Sequence, residues 1–250
     1  WVRKDGKLVA ASWAEAFAAI AAKLKNLPGE KIGALAGDQA DAEAMQALLD
    51  LMRALGSPNT DCRTDGAMLD VSRPEFWRFN STIAGIDQAD AVLLVGTNPR
   101  HEAPVLNARI RKRWVATNMP VALVGPAADL TYQAEHLGDG PAALRSILDG
   151  SHAFARTLSE AKRPMVIVGQ GALRRPDGAA VLAACWQIAK AAGAIGAEWH
   201  GFNVLHTAAA RVGGLELGFL PGQGGKDAAA MLSGGVEFLW LLGVDDADFS

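Results

Sequence analysis

Four short stretches of this chain carry residues whose types and spacing could do chemistry. Gly169-Gln170-Gly171-Ala172-Leu173-Arg174 follows an apolar run and begins like the dinucleotide fingerprint G-x-G-x-x-G. In that fingerprint the glycines let backbone approach a pyrophosphate at a helix start. Arg174 stands at the third glycine, which normally allows close helix–strand packing, so a plain glycine turn at a strand end competes with a nucleotide site. Gly222-Gln223-Gly224-Gly225-Lys226-Asp227 has the look of a phosphate loop. It lacks the upstream glycine, and Asp227 stands where Ser or Thr would bind magnesium, so it reads as a flexible loop. Asp245, Asp246 and Asp248 form a carboxylate group after an apolar run, suited to a cation, a ribose or a solvated loop. The fourth stretch, Gly96-Thr97-Asn98-Pro99-Arg100, closes the run Ala91-Val92-Leu93-Leu94-Val95 and precedes a helix opened by Pro104. In α/β folds the loop after a strand's carboxyl end is where ligands bind. The cofactor-binding candidates are therefore Gly96, Thr97, Asn98, Arg100, Gly169, Gln170, Gly171 and Asp245.

No catalytic or metal-binding residue is assigned. The chain has no G-x-S-x-G elbow, no HExxH and no CxxC. Its two cysteines, Cys62 and Cys185, are far apart, which excludes an all-cysteine cluster built from this chain alone and suits a reducing compartment. His200 and His206 have no third ligand nearby in sequence and read as packing residues. The formal net charge of −3 and pI near 6.0 offer no basic surplus for nucleic acid or an anionic membrane. Arg109-Ile110-Arg111-Lys112-Arg113 reads as a solvated helix face. The most apolar window, 178–197, is interrupted by Gln187 and Lys190, so it reads as a buried helix without direct membrane insertion.

The elements that must position these loops follow one pattern. A short apolar run ends in glycine, and a polar loop leads into a helical segment. The runs are 32–37, 92–96, 121–125, 166–169 and 238–243, and the helical partners are 41–55, 104–116, 142–148 and 178–192. This alternation predicts an α/β fold with parallel sheets covered by helices on both faces. The start differs: Asp5-Gly6 between short flanks predicts a hairpin, and Ser12 with Glu15 predicts a capping box before a helix that stops near Leu27-Pro28-Gly29. The tract 199–214 has little period and reads as a packed loop. Seams at 56–59 and 159–164 suggest two sheets. The chain opens at Trp1 and stops at Ser250 just after an apolar run, so a piece of a larger protein is expected.

Several tracts resemble, in order along nearly all of the chain, the large iron–sulfur subunit of NADH:quinone oxidoreductases, or respiratory complex I, within the molybdopterin oxidoreductase superfamily. They are Val2-Arg3-Lys4-Asp5-Gly6-Lys7-Leu8 with Ser12-Trp13-Ala14-Glu15-Ala16, the loop from Val95 to Pro104, Gly201-Phe202-Asn203-Val204-Leu205-His206, and Leu215-Glu216-Leu217-Gly218-Phe219-Leu220-Pro221-Gly222. The resemblance implies two doubly wound, Rossmann-like domains, one inserted in the other. With the seams above, it places the first, C-terminally truncated domain at 1–57 plus 163–250 and the inserted one at 58–162. In catalytic relatives the metal ligand lies soon after the second strand–helix unit, and the similar start of formate dehydrogenases sets Ala67 at that position. Cys62 falls too early, alanine cannot ligate a metal, and Asp65 could do so only if the alignment slips, so the molybdenum site is expected to be lost and the strand-end loops to be vestiges of a cofactor cradle. The 2Fe-2S and 4Fe-4S clusters of the family lie upstream, so no cofactor is expected in this piece. The expected role is a non-catalytic scaffold that contacts the cluster-bearing N-terminal part of its own subunit and other complex I subunits. Its expected place is the peripheral arm, on the cytoplasmic side of a bacterial inner membrane or the mitochondrial matrix side. The alternative is a fragment of an active molybdopterin-dependent oxidoreductase that binds a guanine dinucleotide cofactor. A thiamine-diphosphate enzyme's middle domain matches one unit only, from Arg163 to Ala172.

Overall fold

A computed structural model describes residues 1–245. Its strands, in chain order, are β1 (Val2–Lys4), β2 (Lys7–Val9), β3 (Ile32–Ala36), β4 (Asn59–Asp61), β5 (Ala91–Val95), β6 (Val121–Val124), β7 (Glu135–Gly138), β8 (Pro164–Gly169), β9 (Phe202–Leu205) and β10 (Phe238–Leu242). The apolar runs ending in glycine are therefore strands, and the pairings outside the β1–β2 hairpin are parallel. Two compact units result: residues 1–64 with the chain from Gly213 onward, and Asp65–Val212.

In the first unit the sheet order is β10-β3-β4. All five residues of β3 are buried, as a central parallel strand requires. The helix Ala42–Ala54 starts where the Asp41 carboxylate accepts the Ala44 N–H, and it buries Met45, Leu49 and Met52, one stripe at helical spacing. The β1–β2 hairpin turns through Asp5 and Gly6, both at positive φ, and the Ser12–Glu15 capping box opens the helix Trp13–Leu24. β4 was not anticipated, because Asn59, Thr60 and Asp61 are all polar; yet all three are buried. Hydrogen bonds explain this. The Asn59 amide donates to Glu30 O and Ile32 O and accepts the Lys226 N–H, while Thr60 Oγ1 donates to Leu220 O at 2.7 Å. Asp61, 1% exposed, accepts from the Arg63 backbone N–H, from both arms of the Arg63 guanidinium and from the Ala228 N–H.

In the second unit the order is β7-β6-β5-β8-β9. Counted from β5 this is 3-2-1-4-5, the doubly wound order of dinucleotide-binding folds. The helix Pro104–Thr117 links β5 to β6, the pair Pro141–Leu148 and Ala153–Glu160 links β7 to β8, and Gly178–Ala191 links β8 to β9. The core is continuous: Val92, Leu94, Ile110, Leu123, Met165 and Ile167 pack together.

Three expectations are corrected. The chain returns to the first unit at Gly213, not at 163. β8 pairs with β5 from Ala91↔Pro164 to Val95↔Val168, so it cannot belong to another sheet. The first boundary falls after Thr64, not after 57, because β4 stays paired with β3. The tract 199–214, expected as a loop, contains β9; all four residues of β9 are buried, and a strand covered on both faces shows no alternation. Asp246 and Asp248 lie outside the described residues.

Asp61→Ala strands the Arg63 guanidinium and the Ala228 N–H, and is expected to destabilise the protein by about 3 kcal/mol, read from the urea midpoint.

Candidate functional site

Between β5 and β8 the winding of the sheet reverses, and a doubly wound fold opens its ligand crevice at the carboxyl end of that point. Gly96 ends β5 at φ +58, a conformation glycine adopts without strain, and its N–H donates to Val124 O at 2.8 Å. A Cβ on Gly96 would lie 2.4 Å from the Ala172 Cβ and 2.5 Å from the Ala172 nitrogen. One on Gly171 would lie 2.7 Å from Gly96 O, and one on Gly169 would lie 2.4 Å from the Thr97 Cβ. The two glycine loops thus interlock. The close approach that glycine permits serves chain against chain at this point.

The Thr97 hydroxyl and the Asn98 backbone N–H of the loop are also engaged, whereas Asn98 Oδ1 is buried without a partner among the described residues. Thr97 Oγ1 donates to Glu102 Oε2 and the Asn98 N–H donates to Glu102 Oε1, each at 2.7 Å. Glu102 was missed from the sequence. Its signal is a glutamate within one turn of a proline-opened start, placed to reach back as in a capping box. Arg100 turns outward, where its guanidinium donates to the Asp129 carboxylate and carbonyl. Gln170 is buried and faces β9: its amide donates to Leu205 O at 2.9 Å and to His206 Nδ1 at 3.3 Å, while its Oε1 is buried without a partner among the described residues. Of the sequence candidates, Gly96, Thr97, Asn98, Gly169 and Gly171 gather at the switch point. Asp245 belongs to the other unit and is exposed. A 270 Å³ cavity opens beside the interlock at the ends of β5, β6 and β8.

His206 packs as a core residue. Its Nε2 meets Trp77 O at 2.7 Å; a carbonyl only accepts, so Nε2 carries the proton and Nδ1 takes the Gln170 donor. Burial chiefly, with Arg211 adding to it, lowers its pKa to about 4. Nearby Arg211, 1% exposed, donates to Asp65 at 2.9 Å. Burial pushes the Cys185 thiol up to about 12, which leaves it inert.

Ala172 fills the space beside Gly96, and the Glu102 carboxylate occupies the Thr97 and Asn98 donors that a phosphate oxygen would use. Ala67, at the expected ligand position, is buried and has no lone pair to give. Among the described residues no group of three or more His, Cys, Asp or Glu could hold a metal ion. The sequence pattern of molybdopterin oxidoreductases nevertheless matches residues 1–249. The chain belongs to the molybdopterin oxidoreductase family. Within the family it is 41% identical over 244 residues to the potato (Solanum tuberosum) mitochondrial NADH dehydrogenase [ubiquinone] iron-sulfur protein 1, covering 98% of this chain and 32% of that protein. It is 39% identical over 249 residues to the NADH-quinone oxidoreductase G subunit of Rickettsia bellii, covering 100% of this chain and 36% of the relative. For the same protein of Rickettsia conorii the figures are 42% over 219 residues, 88% and 33%. The chain spans about a third of the length of these relatives.

Gly96→Ala forces a methyl into Ala172 and strains a positive φ. It is expected to destabilise the protein by about 2–3 kcal/mol in chemical denaturation. A histidine whose folded pKa lies below its unfolded value binds its proton mainly when unfolded. The His206 contribution is therefore complete above pH 6.5 and is lost as pH falls from 6.5 to 4, about 3 kcal/mol at full loss. Urea midpoints across that window test it, with His206→Gln expected to flatten the slope.

Proposed function

We propose that this chain is the part of the large iron–sulfur subunit of an NADH:quinone oxidoreductase that keeps the molybdopterin oxidoreductase fold without its chemistry. The carrying observation is the self-filled switch point: Ala172 and Glu102 satisfy from within the space and the donors that a cofactor arm would take. Ala67 at the ligand position adds to it. On this reading the parent complex I passes electrons from NADH through iron–sulfur clusters to a quinone. The 2Fe-2S and 4Fe-4S clusters belong to the N-terminal part of the same polypeptide, and this region packs beside them and presents surface to other complex I subunits. No described helix is long and apolar enough to cross a membrane. That accords with a place in the peripheral arm, on the cytoplasmic or matrix side.

Elemental analysis of the purified chain is expected to find neither iron nor molybdenum, and titration with GDP at millimolar concentration is expected to release no heat. Near-stoichiometric molybdenum, or GDP heat saturating at one equivalent, would favour an active molybdopterin enzyme instead.

A further inference from the structure

The scaffold reading leaves the 270 Å³ cavity without a task. Val95, Val124, Leu144 and Val181 give it an apolar lining. Its charged lining is acidic: Glu102, Asp139 and Asp177 against one cation, Arg175. That cation is already committed, since Arg175 Nε and Nη2 donate to the two Asp177 oxygens at 2.7 and 3.0 Å. Glu102 and Asp139 are left without a counter-charge among the described residues. A carboxylate offers about four acceptor positions, and Glu102 uses two of them on Thr97 and Asn98.

An anion entering this cavity meets two uncompensated carboxylates, and the Asn98 N–H that could greet it is taken. A cation with an apolar body meets the opposite. Its body leaves water against the aliphatic lining, and its N–H groups make charge-assisted bonds to Glu102 and Asp139. We propose that the cavity is a binding site for a small organic cation of the amidinium or ammonium class, and that Glu102 sets this specificity. The site goes beyond the scaffold reading and does not depend on it.

Benzamidine and benzoate test it, since they share a shape and differ in the sign of the head group. Calorimetric titration of the whole chain is expected to show benzamidine binding at least about tenfold more tightly than benzoate. The amide NMR signals of Gly96, Gly125 and Gly171 should shift during the titration. Glu102→Gln, with its fold checked by circular dichroism, should bring the two ligands within about threefold of each other. Asp139→Asn, on the exposed rim where folding is not at stake, should weaken benzamidine by about threefold or more. Benzoate binding as tightly as benzamidine, shifts confined to other surfaces, or no benzamidine binding at about 10 mM would each overturn the proposal. An unchanged preference in a folded Glu102→Gln would overturn the role of Glu102. Because these readouts contain no metal or guanine nucleotide, their failure would leave the scaffold reading standing.

Discussion

The backbone contact between Gly96 and the Gly171–Ala172 turn is the constraint on which the second unit depends. A doubly wound sheet splays its strand-end loops apart at the switch point, and the polar backbone exposed there needs a partner. A bound nucleotide is one solution. The other is to bring the two loops into contact, which demands a residue without a side chain on each. Gly96 and Gly171 meet that demand, and Gly169 lets Thr97 sit against the end of β8. The first unit repeats the device at the ends of β3 and β10. A Cβ on Gly37 would fall 1.8 Å from Gly243 O, and the Gly37 N–H donates to Leu242 O at 2.9 Å. In both parallel sheets, glycine therefore allows the strand-end loops to touch at the carboxyl end.

Closing the crevice with chain changes what the fold can do. Glu102 places a carboxylate on the donors of the β5 loop. A phosphate there would supply similar charge and geometry, but only while bound. A side chain supplies both from within the chain, as part of the fold itself. The same carboxylate makes the neighbouring cavity hostile to the anions that such sheet ends commonly bind. One residue, Glu102, thus both ties down the β5 loop and sets the charge of the cavity beside it.

Much of this fold was legible in the sequence because buried parallel strands leave apolar runs. β3, β5, β6, β8 and β10 were read in this way, as were the capping box at Ser12 and the Asp5-Gly6 hairpin. The strands that went unread each hide their signal differently. β4 buries three polar residues, β7 is a sheet-edge strand with two exposed residues, and β9 is covered on both faces. The misplaced return at 163 has another origin. The stretch 159–164 has the charge and breakers of a linker, but sheet membership is decided by pairing with β5, some seventy positions earlier. No local composition reports that. At the site, the glycines were recognisable as special. What they approach was not, because a glycine that meets a phosphate and one that meets an alanine look alike in one dimension.

The polar strand β4 acquires its reason from the discontinuity of the first unit. Bringing the chain back at Gly213 after the excursion through the second unit costs closure entropy, on the order of 4–5 kcal/mol for a flexible loop of that length. Besides the pairing of β10 with β3, five bonds tie residues 219–228 to β4 and its flanking residues. Cys62 N–H donates to Phe219 O, Gly222 N–H to Pro58 O, Thr60 Oγ1 to Leu220 O, Lys226 N–H to Asn59 Oδ1 and Ala228 N–H to Asp61 Oδ2. At about 1 kcal/mol net each, these bonds are of the size needed to offset that entropy. An apolar strand at β4 would bury as much surface, but it would lose the three side-chain bonds that fix the register of the returning chain. Asn59, Thr60 and Asp61 fix where residues 219–228 lie, and so allow a unit made of two distant segments to close in one way.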